Sequence, residues 1–152
     1  MPAIFQTTPR SFQEYIAQPW VNALPVPLTV STRSAAAIAL SGFTALTFVT
    51  EAYAAKAGEW VLVHAAAGGL GTVLCQILSA RGVHVIGTTS TPQKAEIAKS
   101  NGAEAVIVTT QEDTIKRVLE LTNGEGVHGI YDGIGKDTCV ITTPKRGPYA
   151  LT

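Results

Sequence analysis

Residues 60–71 read WVLVHAAAGGLG, an apolar run that ends abruptly in a loop of small residues with three glycines. The unbroken apolar run is typical of a strand buried on both faces of a parallel sheet. The segment from Leu70 to Arg81 that follows carries apolar residues at the i, i+3, i+4, i+7 and i+8 positions of a helix with one buried stripe. The stretch therefore predicts a strand, a loop with cleared side chains, and a helix.

The same alternation continues toward the carboxyl end of the chain. Residues 83–89 (VHVIGTT), 103–110 (AEAVIVTT) and 127–135 (VHGIYDGIG) have the pattern of further strands. A helix is predicted between each pair, capped at its start by Thr91 with Pro92 in one case and beginning near Glu112 and Asp113 in the other. This order predicts an α/β fold with a Rossmann-like parallel sheet of about four strands and flanking helices.

The pattern divides the chain into three parts. Residues 1–32 contain five prolines and no sustained period, and they are interpreted as connecting structure. Residues 33–137 form the predicted nucleotide-binding domain, which opens with two alanine-rich helices divided near Ser41 and Gly42. Residues 138–152 contain two prolines and no helical stripe, and they predict an irregular tail.

Composition excludes several classes of function. The 152 residues are 46% hydrophobic and 14% charged, which suits one globular core. Eleven basic residues balance eleven acidic ones, so neither nucleic acid nor an anionic membrane is an expected partner. The amino terminus lacks a signal-peptide pattern and the most apolar stretch, 35–49, is interrupted by polar residues, so we expect a soluble, cytoplasmic chain. Two cysteines and three separated histidines (His64, His84 and His128) indicate neither a disulfide framework nor a metal site.

The loop at 65–71 carries the strongest functional signal. Such a loop, between a buried strand and a helix, is where dinucleotide-binding folds hold a pyrophosphate against backbone N–H groups. Gly68 allows a tight turn and close phosphate approach, Gly71 allows the helix to approach the sheet, and Ala65 takes the place of the first glycine, so the variant is AxxGxxG. Glycine also serves tight turns for purely conformational reasons, but the flanking strand and helix favour a cofactor site.

The end of the second strand indicates which dinucleotide is bound. NAD sites commonly place an acidic residue there, yet no Asp or Glu lies between Glu59 and Glu96. Hydroxyl groups are supplied instead by Thr88, Thr89, Ser90 and Thr91. Lys94 stands in the first turn of the next helix, where a cation is unfavourable unless an anion such as a 2′-phosphate binds, the alternative being a solvated surface lysine. These features favour NADPH over NADH.

Residues 58–107 and 121–138, with SFQEYIA and SAAAIALSGFTAL upstream, resemble the NADPH-dependent quinone oxidoreductases of the zeta-crystallin type, in the medium-chain dehydrogenase/reductase superfamily. The resemblance implies zinc-independent hydride transfer from NADPH to a quinone or a conjugated carbonyl. It also implies cofactor contacts. Gly68, Gly69 and Leu70 would lie at the pyrophosphate and Thr44 near the nicotinamide. The adenosine phosphate would lie near Gly87, Thr88 and Lys94.

The chain also departs from the pattern of this family. Thr109 and Gly133 stand where many relatives carry a tyrosine and a serine near the cofactor, which predicts weaker binding. Relatives have a catalytic domain before the nucleotide-binding domain and two more strands after it, and the resemblance implies that residues 1–32 are a remnant of that catalytic domain with its linker. The fourth strand is therefore expected at the edge of the sheet, where the tail or another copy of the chain would cover it.

Three functional hypotheses follow from these observations. The chain is an NADPH-dependent quinone reductase, a non-catalytic NADPH-binding module, or a truncated protein whose role is interaction; its catalytic residues are not identified by the sequence. A methyltransferase-like nucleotide fold is a weaker alternative, because that fold also favours an acidic residue after the second strand.

Overall fold

The computed structural model describes residues 3–5, 14, 15, 17, 19–135, 138, 150 and 151, and it divides into two compact units, Met1–Phe43 and Thr44–Thr152. In the first unit, β1 (Ala3–Phe5) pairs antiparallel with β2 (Ala23–Pro25). A single 3₁₀ turn, Trp20–Asn22, precedes β2. The first unit thus contains a two-stranded antiparallel sheet.

Helix α1 (Thr32–Thr47) runs without a break and leads into one π-helical turn, Phe48–Ala52. The prediction of two helices divided near Ser41 and Gly42 is wrong. Gly42 fills a packing role within the helix, since a Cβ at this position would stand 3.0 Å from Cγ1 of Ile38. The stretch Thr32–Ala52 is long and apolar enough to cross a membrane, but core helices of soluble proteins meet the same criterion.

The second unit is built on a parallel sheet, so the predicted Rossmann-like α/β fold is confirmed. Its strands are β3 (Trp60–Val63), β4 (His84–Thr89), β5 (Ala105–Val108) and β6 (Gly129–Tyr131), in the spatial order β5-β4-β3-β6. Helices α2 (Gly69–Ala80), α3 (Pro92–Ser100) and α4 (Thr114–Leu121) connect them. Because β4 and β6 lie on opposite sides of β3, the winding of the chain reverses there and leaves a crevice at the carboxyl ends of the strands.

Alternate residues of the central strands face two separate cores. On one face Val61, Val63 and Val85 pack with α2 through Leu74, Cys75 and Leu78. On the other face Leu62, Ile86, Ile107 and Ile130 pack with Val118 of α4. Both faces of the sheet are therefore covered, as the apolar strand sequences predicted.

A short strand, β7 (Ala150–Leu151), pairs in parallel with β6 at the edge of the sheet. The sequence predicted an irregular tail over 138–152 and an edge at the fourth strand. Residues 150 and 151 are paired opposite Ile130 and Tyr131, while residues 139–149, with Cys139, lie outside the described residues. The tail thus covers part of that edge, because unpaired backbone groups of an edge strand favour the addition of a strand.

Candidate cofactor site

Two adjoining cavities open where the sheet winds in both directions, at the carboxyl ends of its strands. The larger has a volume of about 580 Å³ and the smaller a volume of about 210 Å³. Both are lined by His64, Ala65 and Gly68, the residues that follow β3. The loop singled out by the sequence therefore forms the junction between the two cavities.

The loop is held by its own backbone hydrogen bonds. Ala65 adopts a left-handed conformation with φ of 50°, and its carbonyl oxygen accepts the N–H of Gly68 at 2.8 Å. The N–H of Ala66 donates to the carbonyl oxygen of Thr88 at 2.9 Å. The N–H of Gly68 is therefore already used within the loop, and this residue offers a ligand only the space left by its missing side chain. Helix α2 begins at Gly69, and the N–H groups of its first turn have no partner in an earlier turn of the helix.

Two glycines permit close packing around this loop. A Cβ on Gly71 would collide with the carbonyl oxygen of Ala65 and lie 2.7 Å from Cα of Ala66. A Cβ on Gly68 would lie 3.2 Å from the same carbonyl oxygen. Gly71 thus lets α2 approach the loop, whereas the sequence predicted that it lets the helix approach the sheet, and the backbone itself forms the wall of the smaller cavity.

One wall of the larger cavity comes from the end of β4 and the start of α3. Thr88, Thr89, Ser90 and Lys94 line it, and Nζ of Lys94 lies 3.4 Å from Oγ of Ser90. The hydroxyl oxygen of Thr91 accepts the N–H of Lys94 at 3.3 Å and caps α3. Thr91 therefore serves the helix, whereas the exposed ammonium group of Lys94 stands at the cavity.

The facing wall carries carboxylates that sequence reasoning missed. Glu112 and Asp113, which precede α4, line the larger cavity. Oε1 of Glu112 accepts the N–H of Val108 at 3.1 Å, and its Oε2 lies 3.5 Å from Nε of Arg117. Asp113 caps α4 by accepting the N–H of Lys116 at 2.8 Å. The position of Glu112 just after a buried strand was the signal that could have placed it at this edge of the sheet.

His64 is a buried polar residue of the junction that was not among the site residues predicted from the sequence. It is 6% exposed, and its Nδ1 lies 3.0 Å from Oγ1 of Thr88, which is 2% exposed. Burial lowers the pKa of His64, and the carboxylate of Asp132 partly offsets this effect. The imidazole beside the loop is therefore harder to protonate than an ordinary histidine side chain.

Asp132 organises the loop that follows β6. Its Oδ1 accepts the N–H groups of Ile134 at 2.8 Å and Gly135 at 3.1 Å, and its Oδ2 accepts the hydroxyl of Thr138. Burial alone would raise the pKa of this carboxyl group, but these hydrogen bonds outweigh burial and lower it. The bonds hold Ile134 at the larger cavity and Gly133 at the smaller one.

The structure gathers ten of the twelve predicted site residues around the two cavities. The larger is lined by Ala65, Gly68, Thr88, Ser90, Lys94 and Thr109, and the smaller by Ala65, Gly68, Gly69, Leu70, Gly71 and Gly133. Gly87 lines neither, because it packs beneath Ala66, where a Cβ would stand 2.7 Å from the Ala66 methyl group. Thr44, in α1, also lines neither cavity.

The side chains able to bind metals are dispersed in the described part of the chain. Among those residues no group of three or more His, Cys, Asp or Glu side chains could hold a metal ion. Nδ1 of His84 lies 2.6 Å from Oε2 of Glu104, and Nδ1 of His128 accepts the N–H of Trp60. Burial raises the pKa of the Cys75 thiol to about 11, so this cysteine is a packing residue.

Comparison with known proteins confirms the resemblance predicted from the sequence. The family model for zinc-binding dehydrogenases matches residues 69–144. A probable quinone oxidoreductase of Schizosaccharomyces pombe is 44% identical over 135 residues, which are 89% of this chain and 40% of that protein. The chain thus spans less than half the length of this curated relative.

Solved structures agree with the sequence comparison. A quinone oxidoreductase of Pseudomonas syringae is 44% identical and superimposes with a TM-score of 0.79 over 82% of this chain and 38% of that one. The Escherichia coli quinone oxidoreductase complexed with NADPH is 41% identical, with a TM-score of 0.75 over 77% of this chain and 36% of that one.

Proposed function

The chain belongs to the zinc-binding dehydrogenase family, and on that premise we propose that it is the NADPH-binding part of an oxidoreductase. The reaction is hydride transfer from NADPH to a quinone or a related conjugated carbonyl, without zinc. The similar proteins are quinone oxidoreductases, and one of them is a complex with NADPH. The small-molecule substrate, a cytoplasmic location and self-association through the sheet edge are parts of the same proposal.

The shape of the site fits a dinucleotide. The two cavities meet at the loop 65–68, so a diphosphate at this junction would leave one nucleotide half for each cavity. A side chain at Gly71 would drive the loop and α2 apart, and this close packing supports a role for the loop backbone as the binding surface. This junction of two cavities over an exposed helix start is the observation that carries the proposal.

The residues of the chain bind and orient rather than react. The first-turn N–H groups of α2 would hold the diphosphate, and Lys94 with Ser90 and Thr88 would hold the phosphate of the adenosine half. The smaller cavity, beside Leu70 and Gly133, would take the nicotinamide half and exclude water on that side. When bound, the cofactor supplies the hydride.

A second candidate is an NADPH-binding module without turnover. Among the described residues that line the smaller cavity, only His64 and Tyr131 carry titratable groups. The hydroxyl of Tyr131 already donates to the carbonyl oxygen of Tyr53 at 2.6 Å. Substrate-binding groups would then come from a domain beyond this nucleotide-binding unit.

Calorimetric titration with NADPH and NADH, followed by steady-state quinone reduction, tests both candidates. We expect NADPH to bind more tightly, because Lys94 pairs with the 2′-phosphate. Lys94→Ala should weaken NADPH binding by about 10- to 100-fold and leave NADH binding unchanged. This fold-change corresponds to the free energy of one hydrogen bond to a charged group. Lys99→Ala is the matched control, since Lys99 lies on the same helix and pairs with Glu96 at 3.2 Å.

The outcomes separate the candidates. Binding with turnover supports the reductase, and binding without turnover supports the module. A preference for NADH, or equal losses in the two lysine variants, would contradict the assignment of the phosphate site.

A further inference from the structure

We propose that His64 makes cofactor binding proton-linked: the diphosphate binds together with one proton, which the imidazole takes up from solution. This inference rests on the proposed function, because it assigns a charge response to the same cavity junction. It concerns a residue that the sequence pattern does not distinguish from a packing histidine.

The position of His64 carries the argument. It is the residue between β3 and the loop, it lines both cavities, and it is 6% exposed. An imidazole buried at the junction lies where the diphosphate of a dinucleotide would add negative charge to a site of low dielectric constant. A nearby anion favours the charged form of a histidine.

The hydrogen bond to Thr88 adds a directional element. When Nδ1 of His64 is an acceptor, the single hydroxyl hydrogen of Thr88 points to the ring, and its oxygen lone pairs remain toward the cavity that Thr88 also lines. When Nδ1 is protonated, the ring donates and the Thr88 hydrogen becomes available to a phosphate or ribose oxygen. When the neutral ring carries its hydrogen on Nε2, proton uptake at Nδ1 therefore frees the Thr88 hydroxyl to donate to the ligand.

The charged groups around His64 in the described residues work in both directions. Asp132, after β6, favours the imidazolium ion, and burial opposes it. At the larger cavity, Glu112 and Asp113 before α4 favour a cation, whereas Lys94 in α3 disfavours one. Tyr131, in β6, is neutral at physiological pH because burial raises its pKa to about 12. A bound diphosphate would shift this balance toward the protonated ring.

The sign of the linkage follows from these charges. Burial lowers the pKa of His64 in the free protein, and the bound anion would raise it. Between the two pKa values binding takes up a proton, so affinity should rise by as much as tenfold for each unit fall in pH. Above both values the pH dependence due to His64 vanishes.

Calorimetry of NADPH binding to the full chain measures the proton directly. Titrations at about pH 6.5, near the ordinary histidine pKa, are made in buffers of different ionisation enthalpy, and the slope gives the protons taken up. The 2′-phosphate also titrates near this pH. Comparison of wild type with His64→Asn cancels that contribution, since the phosphate is the same and asparagine cannot take up the proton. His84→Asn is the matched control. His84 begins β4, whereas Thr88, the partner of His64, lies near the other end of that strand.

On binding NADPH, wild type and His84→Asn should each take up more protons than His64→Asn. The expected difference is at most one proton per molecule bound. Equal uptake in all three would overturn the inference while NADPH binding itself stands. Absence of NADPH binding to wild type would overturn the proposed function and this inference together.

Should His64→Asn fail to fold, histidine NMR titration of wild type replaces it, with His84→Asn and His128→Asn assigning the other two rings. The His64 signal should titrate at higher pH with NADPH than without it. An unchanged or lower midpoint would contradict the inference.

Discussion

Gly87 of β4 lies directly beneath the methyl group of Ala66, so close that a Cβ on Gly87 would stand 2.7 Å from it. The backbone of the cofactor loop is tied to the same strand, since the N–H of Ala66 donates to the carbonyl oxygen of Thr88 at 2.9 Å. Gly87 therefore sets the height of the loop above the sheet. The absence of a side chain at Gly87 leaves room for the Ala66 methyl group.

The first prediction is that Gly87→Ala destabilises the protein and weakens NADPH binding together. Overpacking of a close contact costs about 1–3 kcal/mol in the free energy of unfolding, which denaturant titration measures. Ala66→Gly removes the opposing methyl group, so the double variant Ala66→Gly/Gly87→Ala should recover much of the loss. Additive losses in the double variant would show that this contact does not set the loop height.

The second prediction concerns the approach of α2 to the loop. Gly71→Ala should lower the free energy of unfolding by more than about 1 kcal/mol, because its Cβ would meet backbone atoms of Ala65 and Ala66 that cannot move aside. Gly69→Ala is the matched stability control in the same turn, since a Cβ there would meet no atom within 4 Å. It should leave stability unchanged or raise it by about 0.4–1 kcal/mol. Equal losses in the two variants would contradict the packing role of Gly71.

The sequence predicted the features of this fold that depend on local patterns. The buried strands follow from apolar runs, and the start of α3 follows from Thr91 and Pro92, whose cap the structure confirms with a hydrogen bond from the N–H of Lys94. The AxxGxxG loop was located because it joins a strand to a helix. Each of these signals lies within a few residues of the element it specifies.

The features that were missed depend on contacts between distant segments. His64 and Thr88 meet only because β3 and β4 pair with Val63 opposite Gly87. Glu112 reaches the cavity because β5 ends beside β4. A single sequence carries the register of a sheet only indirectly, so these roles required the structure.

The third prediction concerns the conformation of Ala65. A left-handed alanine is strained by about 1–2 kcal/mol relative to glycine, and the gain from relieving it exceeds the extra flexibility that glycine adds to the unfolded chain. Ala65→Gly should therefore raise the free energy of unfolding by up to about 1 kcal/mol. Ala67→Gly, two residues along the loop and outside the residues with positive φ, should lower it by about 0.5–1 kcal/mol. A loss of stability in Ala65→Gly would show that the alanine methyl group makes compensating contacts.

The fourth prediction is a pH dependence that originates at Asp132. Asparagine in its place can still accept the N–H groups of Ile134 and Gly135 but loses the charge, so Asp132→Asn should cost about 1–2 kcal/mol at neutral pH. Because the native state lowers the pKa of Asp132, the stabilisation is complete above the ordinary value of 3.8 and is lost as pH falls below it toward the native pKa. The difference in stability between wild type and variant should therefore shrink on acidification, which urea unfolding between about pH 6 and pH 2 measures.

Thr138→Val, which removes one donor and keeps the carboxylate, should show a smaller version of the neutral-pH loss. A difference between wild type and Asp132→Asn that stays constant over this range would mean that the carboxylate is not stabilised by the loop it holds.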